Sequence, residues 1–170
     1  MAKEPDPHRT PDRPMSTVER VMSGGPDQVW EVLSDGWLYP VWVVGATHMR
    51  NVDDNWPDAG AELHHQVGAW PVLIADTTKV ARSEPARRLE LQARAWPMGS
   101  ARIEITIEPH ADGALVRMAE APVRGLARWL DNPLLRLLLV ARNKECLFRL
   151  AAIVEHRRPV VSRRLATEQR

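Results

Sequence analysis

Alternation between apolar and polar side chains dominates the middle of this chain. Leu89, Leu91, Ala93 and Ala95 alternate with Glu90, Gln92 and Arg94; Ala101, Ile103, Ile105 and Ile107 alternate with Arg102, Glu104, Thr106 and Glu108. A period of two predicts strands with one buried and one wet face. The pattern gives strands at 16–23, 47–52, 61–67, 73–80, 89–95, 101–108 and 114–121. In the first, Val18 and Arg20 share a face. In the last, Val116, Met118 and Glu120 make the better inner face. The separators carry turn chemistry: Asp53-Asp54-Asn55, Gly68, Glu84-Pro85, Pro97-Met98-Gly99 and Asp112-Gly113.

The periodicity changes in two places. Gly24-Gly25 ends the first strand, and Pro26 suits the first turn of a helix through Val29, Trp30, Val32 and Leu33, stopped at Ser34-Asp35-Gly36. Trp37 to Trp42, broken by Pro40, is a second helical turn or an ordered loop. Near the end, Asn132-Pro133 supplies an N-cap residue and a first-turn proline for a helix running to His156. Such a helix spans roughly 36 Å. At about 100° per residue it places Leu139, Cys146, Leu147, Leu150, Ile153 and Val154 on one side, with Asn143 inside the stripe. The links between late strands are too short for crossover helices, which excludes doubly wound α/β folds. The fold class is therefore α+β. A sheet of about seven twisted strands curls, and the long helix is the natural cover for its concave face.

Composition adds bounds. A chain of 170 residues suggests one domain. Four prolines among charges in residues 1–15 predict a disordered N-terminal lead, the domain occupies 16–156, and 157–170 form a basic tail. That tail is a solvated end or a contact for phosphates or a membrane surface. A single cysteine excludes an internal disulfide and any multi-cysteine zinc site. A net charge of +1 gives no pull toward nucleic acid, so no nucleic-acid partner is expected. No apolar run reaches the ~20 residues of a membrane span, so no integral membrane insertion is expected. Without a secretory signal the expected location is cytoplasmic. The oligomeric state is left open.

Several polar residues fall on apolar faces. Asn143 needs a ligand, a trapped water or a strand carbonyl, because an unsatisfied buried amide costs a few kcal/mol. Glu120 either acts as an acid or base in an apolar mouth, pairs with an arginine such as Arg124, or faces solvent. His64 and His65 point to opposite faces, and His65, sharing its face with Leu63 and Val67, is the inward one. It is a core histidine or a proton carrier. Asp76 points inward with Ile74 and Thr78 or outward. No third ligand accompanies the histidines, so no metal site is expected. Seven tryptophans stand against one tyrosine and one phenylalanine. Trp37, Trp42, Trp56, Trp70 and Trp96 fall in connections or near strand ends, where they stack on a flat ligand or plug the fold. The segment 122–131, with Leu126, Trp129 and Leu130, is a gate or plain packing. Cys146 lies in the helical stripe, as a buried inert thiol would. No phosphate loop, dinucleotide fingerprint, serine elbow or zinc-protease motif is present, and no cofactor is expected.

Four stretches carry a family resemblance: Pro26-Asp27-Gln28-Val29-Trp30-Glu31-Val32-Leu33, Glu84-Pro85-Ala86-Arg87-Arg88-Leu89, Gly113-Ala114-Leu115-Val116-Arg117-Met118-Ala119-Glu120, and Arg142-Asn143-Lys144-Glu145-Cys146-Leu147 with Leu150. In this order, over 16–156, the chain resembles the SRPBCC superfamily of helix-grip proteins, which includes START-type and plant-allergen lipid binders and polyketide cyclase/dehydrases. The resemblance implies a curved antiparallel sheet gripping a C-terminal helix around an internal cavity. It implies binding of a hydrophobic or aromatic small molecule, such as a lipid, polyketide or isoprenoid. On that reading Asn143, Leu139, Cys146, Leu147, Leu150, Trp37, Trp42, Ile103, Ile105, Met118 and Leu91 line the site, and Glu120 and His65 are the candidates for catalysis. A cyclase/dehydrase-type enzyme and a protein-interaction module are the alternatives. The enzyme reading requires at least two titratable groups converging inside.

Overall fold

A computed structural model describes residues 16–69, 72–95, 99–124 and 133–157. The N-terminal lead, the tail beyond 157, the segment 125–132, Trp70, Trp96 and Trp129 lie outside the described residues. Seven strands, β1 (Ser16–Met22), β2 (Ala46–Val52), β3 (Glu62–Ala69), β4 (Val72–Glu84), β5 (Arg88–Ala95), β6 (Gly99–His110) and β7 (Gly113–Arg124), form one antiparallel sheet in the order β1-β7-β6-β5-β4-β3-β2. Between β1 and β2 lie α1 (Pro26–Leu33), a 3₁₀ turn (Gly36–Leu38) and α2 (Tyr39–Trp42), and α3 (Pro133–His156) follows the sheet. This is the α+β architecture that the alternation and short connections predict, with the helix grip that the family resemblance implies.

Local chemistry explains the element ends. Pro26 opens α1, and the Gln28 side chain accepts a hydrogen bond from the Gly25 amide at 3.0 Å, satisfying a donor the helix leaves free. The Ser34 hydroxyl closes the same helix onto the Trp30 carbonyl at 2.6 Å. The 3₁₀ turn and α2 together resolve the Trp37–Trp42 stretch as helical.

Burial follows the predicted period. Leu89 and Leu91 on β5, Ile103, Ile105 and Ile107 on β6, and Val116 and Met118 on β7 are all buried on the concave face. Opposite them, α3 buries Asn143, Cys146, Leu147, Leu150, Ala151 and Val154. Their i, i+3, i+4 spacing makes one stripe, which lies against the interior. Leu139 and Ile153 are half-buried at its margin.

Three strands run longer than the alternation predicts. β4 continues past Val80 across a register shift, so that Arg82, Ser83 and Glu84 pair with Glu90, Leu89 and Arg88. An extra residue at such a bulge strengthens local twist and bends the strand. β6 and β7 extend to His110 and Arg124, with Pro109 and His110 paired to Ala114 and Gly113 and with Pro122 and Arg124 paired to Ala101 and Ser100. No helix among the described residues is long and apolar enough to cross a membrane.

Candidate functional site

Five polar residues are buried among the described residues: His65, Asp76, Thr78, Glu120 and Asn143. The first three sit side by side through strand register. His65 on β3 pairs directly with Asp76 on β4, and Thr78 shares the inward face two residues on. The His65 Nε2 lies 3.8 Å from Asp76 Oδ2, with the two side chains 2% and 4% exposed. That gap is just beyond a hydrogen bond. The other carboxylate oxygen accepts the Thr77 amide at 2.8 Å, which fixes the Asp76 rotamer.

Tyr39, at the start of α2, packs against this pair. Its ring centroid is 5.2 Å from that of His65 and 5.4 Å from that of Trp42, and its hydroxyl is 3.3 Å from the Thr78 hydroxyl. Burial disfavours charge throughout. It raises the Asp76 pKa to about 6, against the opposing pulls of the Thr77 amide and Arg94. It lowers the His65 pKa, although the Leu63 carbonyl acts the other way. It raises the Tyr39 pKa to about 12. Near neutrality the site therefore holds a neutral imidazole, a mostly ionised carboxylate and a protonated phenol.

A second group lies where α3 meets β7. The Arg142 Nη1 donates to Glu120 Oε2 at 3.0 Å and to Asn143 Oδ1 at 3.4 Å. Its Nε donates to the Val44 carbonyl at 2.9 Å, while the Val44 amide donates to Cys146 Sγ at 3.3 Å. Two α3 side chains thus satisfy both backbone groups of Val44 and clamp the α2–β2 connection. Burial raises the Cys146 pKa, consistent with an inert thiol. Tyr39 joins the two groups electrostatically, since its titration feels Arg142, Asp76 and Glu120.

Two buried atoms in this interior lack a hydrogen-bond partner of good geometry among the described residues: Asn143 Nδ2 and His65 Nδ1. A buried amide donor left unmade costs about 1–3 kcal/mol, so it marks a place where a partner belongs. Asn143 is fully buried on α3, and its Nδ2 calls for an acceptor oxygen.

Most residues singled out in the sequence are buried in the interior. His65, Glu120, Asn143, Cys146, Leu147, Leu150, Trp42, Ile103, Ile105, Met118 and Leu91 are all buried, and Leu139 is half-buried. Trp37 stands apart, 58% exposed, in an outer groove with Glu31, Asp35 and Trp56. Trp56 donates its indole N–H to the Leu33 carbonyl at 3.2 Å and plugs that end. Glu120 finds its partner in Arg142. Asp76 turns inward; Val80 on the same face, completely buried, carries the parity that places it. Tyr39 and Arg142 belong to the site although nothing in the strand pattern marks them. A lone tyrosine beside a helix-starting proline, and an arginine next to an asparagine in an apolar stripe, are the signals that point to them. Among the described residues no group of three or more His, Cys, Asp or Glu side chains is arranged to hold a metal ion.

A family model described as polyketide cyclase/dehydrase and lipid transport matches residues 14–155. No curated protein matches. Solved structures share the fold at low identity. Protein CV1439 from Chromobacterium violaceum aligns at 20% identity and a TM-score of 0.62, over 82% of this chain and 96% of that one. The allergen Ara h 8.0201 aligns at 12% and 0.62, over 81% and 95%. DynU16, from the dynemicin biosynthetic locus, aligns at 19% and 0.62, over 87% of this chain and 49% of that one.

Proposed function

Because the chain belongs to the polyketide cyclase/dehydrase and lipid transport family, we propose that it binds a hydrophobic small molecule bearing a carbonyl-type oxygen. The ligand sits between the concave face of the sheet and α3. One observation carries the reading: Asn143 Nδ2, fully buried in an apolar stripe, has no partner among the described residues. An apolar ligand alone leaves that donor unmade, whereas a ligand oxygen satisfies it. Specificity in such sites comes from a few placed polar groups in an apolar lining, and His65, Asp76 and Tyr39 supply the others.

A matched pair of probes tests this. 2-Acetylnaphthalene and 2-ethylnaphthalene have similar size, but only the first offers an acceptor. The wild type is expected to bind the ketone about tenfold more tightly, one net hydrogen bond's worth. Asn143→Leu is expected to remove that preference and leave the melting temperature nearly unchanged, because removal of the unsatisfied donor offsets loss of the 3.4 Å contact from Arg142 to Asn143 Oδ1. Loss of stability with an unaltered preference would make Asn143 a structural amide.

Acid–base catalysis on the bound molecule is a second reading. The convergence of His65 and Asp76, buried at 3.8 Å, favours it and supplies the two titratable groups that catalysis requires. The imidazole takes a proton from the carbon next to the ligand carbonyl, the enolate oxygen rests on Asn143 Nδ2, the imidazolium passes that proton to solvent, and the carbon takes one back from solvent through the same imidazole. In D₂O the protein is expected to speed exchange of the acetyl methyl protons of 2-acetylnaphthalene, and His65→Ala to abolish the effect. Exchange at the buffer rate would leave binding alone.

A further inference from the structure

Three leucines on the first turns of α3 face water: Leu134, Leu137 and Leu138 are 60%, 64% and 58% exposed. Their i, i+3, i+4 spacing puts them on one face of the helix. Position follows from the Arg142–Glu120 pair. Nine helical residues separate Arg142 from Pro133, about 14 Å at ~1.5 Å each. Four strand residues separate Glu120 from Arg124, about 13 Å at ~3.3 Å each. The leucine face therefore emerges level with the end of β7. The β3–β4 and β5–β6 hairpins turn at that same end, where Ala69 pairs with Val72 and Ala95 with Gly99. Leu73, next to the first turn, is 41% exposed.

Among the described residues, charge at this end is positive. The described residues 66–69, 72–75, 92–95, 99–102 and 133–141 contain Arg94, Arg102 and Arg136 and no aspartate or glutamate, and the linking sequence 125–132 adds one arginine and one aspartate. The nearby carboxylates Asp76 and Glu120 are buried. Clustered exposed leucines beside a predominantly basic rim match the interface of an anionic bilayer, where aliphatic side chains enter the acyl boundary and guanidinium groups meet phosphates. A second copy of the chain fits poorly, because a symmetric contact would set the arginines against one another.

We propose that this end of the domain docks on anionic lipid membranes, with Leu134, Leu137 and Leu138 inserting and Arg136 contacting headgroups.

Co-sedimentation with vesicles tests the proposal, using the full chain with phosphatidylcholine alone and with phosphatidylcholine mixed with phosphatidylglycerol. The wild type is expected to pellet with the mixed vesicles and weakly or not at all with the neutral ones. Combined Leu134→Ser, Leu137→Ser and Leu138→Ser substitutions are expected to weaken that binding about tenfold or more. Arg136→Glu is expected to weaken it and reduce its salt dependence. Circular dichroism is expected to stay unchanged, because the replaced side chains lie mostly in water. Failure of the wild type to pellet with either vesicle, or equal binding by the triple variant, would overturn the proposal. So would a concentration-dependent dimer that the triple variant abolishes, since it would assign the face to a second copy.

Discussion

Gly113→Ala is expected to destabilise the fold by about 3 kcal/mol, seen as a fall in melting temperature of roughly 10 °C. Gly113 starts β7 with φ near +134°, a conformation that L side chains rarely adopt. A Cβ there would collide with the Met22 carbonyl oxygen and lie 2.8 Å from the Ser23 carbonyl carbon. The obstacle is backbone, so no rotamer change relieves it. Strain at positive φ costs about 1–2 kcal/mol, and forcing packed backbone apart adds about 1–3 kcal/mol. The strands forced apart are β1 and β7, paired there through Met22 and Ala114. A thermal melt within a degree of wild type would show that the β1 edge is loose.

Asp76→Asn is expected to stabilise the protein at pH 7 by about 2–3 kcal/mol. Asp76 has its pKa raised to about 6 from 3.8 by burial. A carboxyl whose folded pKa lies above its unfolded one costs nothing below the unfolded value, where it is protonated in both states. The cost grows as pH rises between about 4 and 6, by about 1.4 kcal/mol per pH unit, and is complete above that. Asparagine removes the charge and keeps the shape. Wild-type stability should therefore lose ground to the variant across pH 4 to 6 and run parallel to it above. His65 acts in the opposite sense. Its lowered pKa makes the unfolded state take up a proton first as pH falls through about 6.5, which erodes stability on the acid side in both proteins. Urea melts across this pH range measure the difference. A variant less stable than wild type at pH 7 would mean that the ionised carboxylate is held by favourable contacts.

A protein that keeps an ionised aspartate beside a neutral histidine in its interior gives up stability for that arrangement. This is the pattern expected where a site, rather than the core, sets the residue. The same logic applies to Asn143, whose buried donor a leucine would remove without leaving a hole.

Much of the fold is legible in the alternation because each late strand has one face that must be buried. Leu89 to Ala95 and Ala101 to Ile107 leave no choice of face, and the short links between them force antiparallel pairing. Where the period fails, so does the reading. Residues 81–84 lack alternation and join β4 only through their partners on β5 across a bulge. The site is legible where one residue interrupts a clear stripe, as Asn143 and His65 do. It is not legible where it depends on register. His65 meets Asp76 only because β3 and β4 pair at that offset, and a shift by one residue would put the two on opposite faces. Parity assigns Glu120 to the inner face. Its partner Arg142 lies beyond a segment with no strand pattern, and only the helix laid across the sheet brings the two together.

The central claim is that a ligand oxygen completes the buried donor of Asn143. The ratio of affinities for 2-acetylnaphthalene and 2-ethylnaphthalene, measured by titration on wild type and Asn143→Leu, tests it most directly. The account predicts a ratio of about ten in the wild type falling to about one in the variant. The same ratio in both proteins would contradict it.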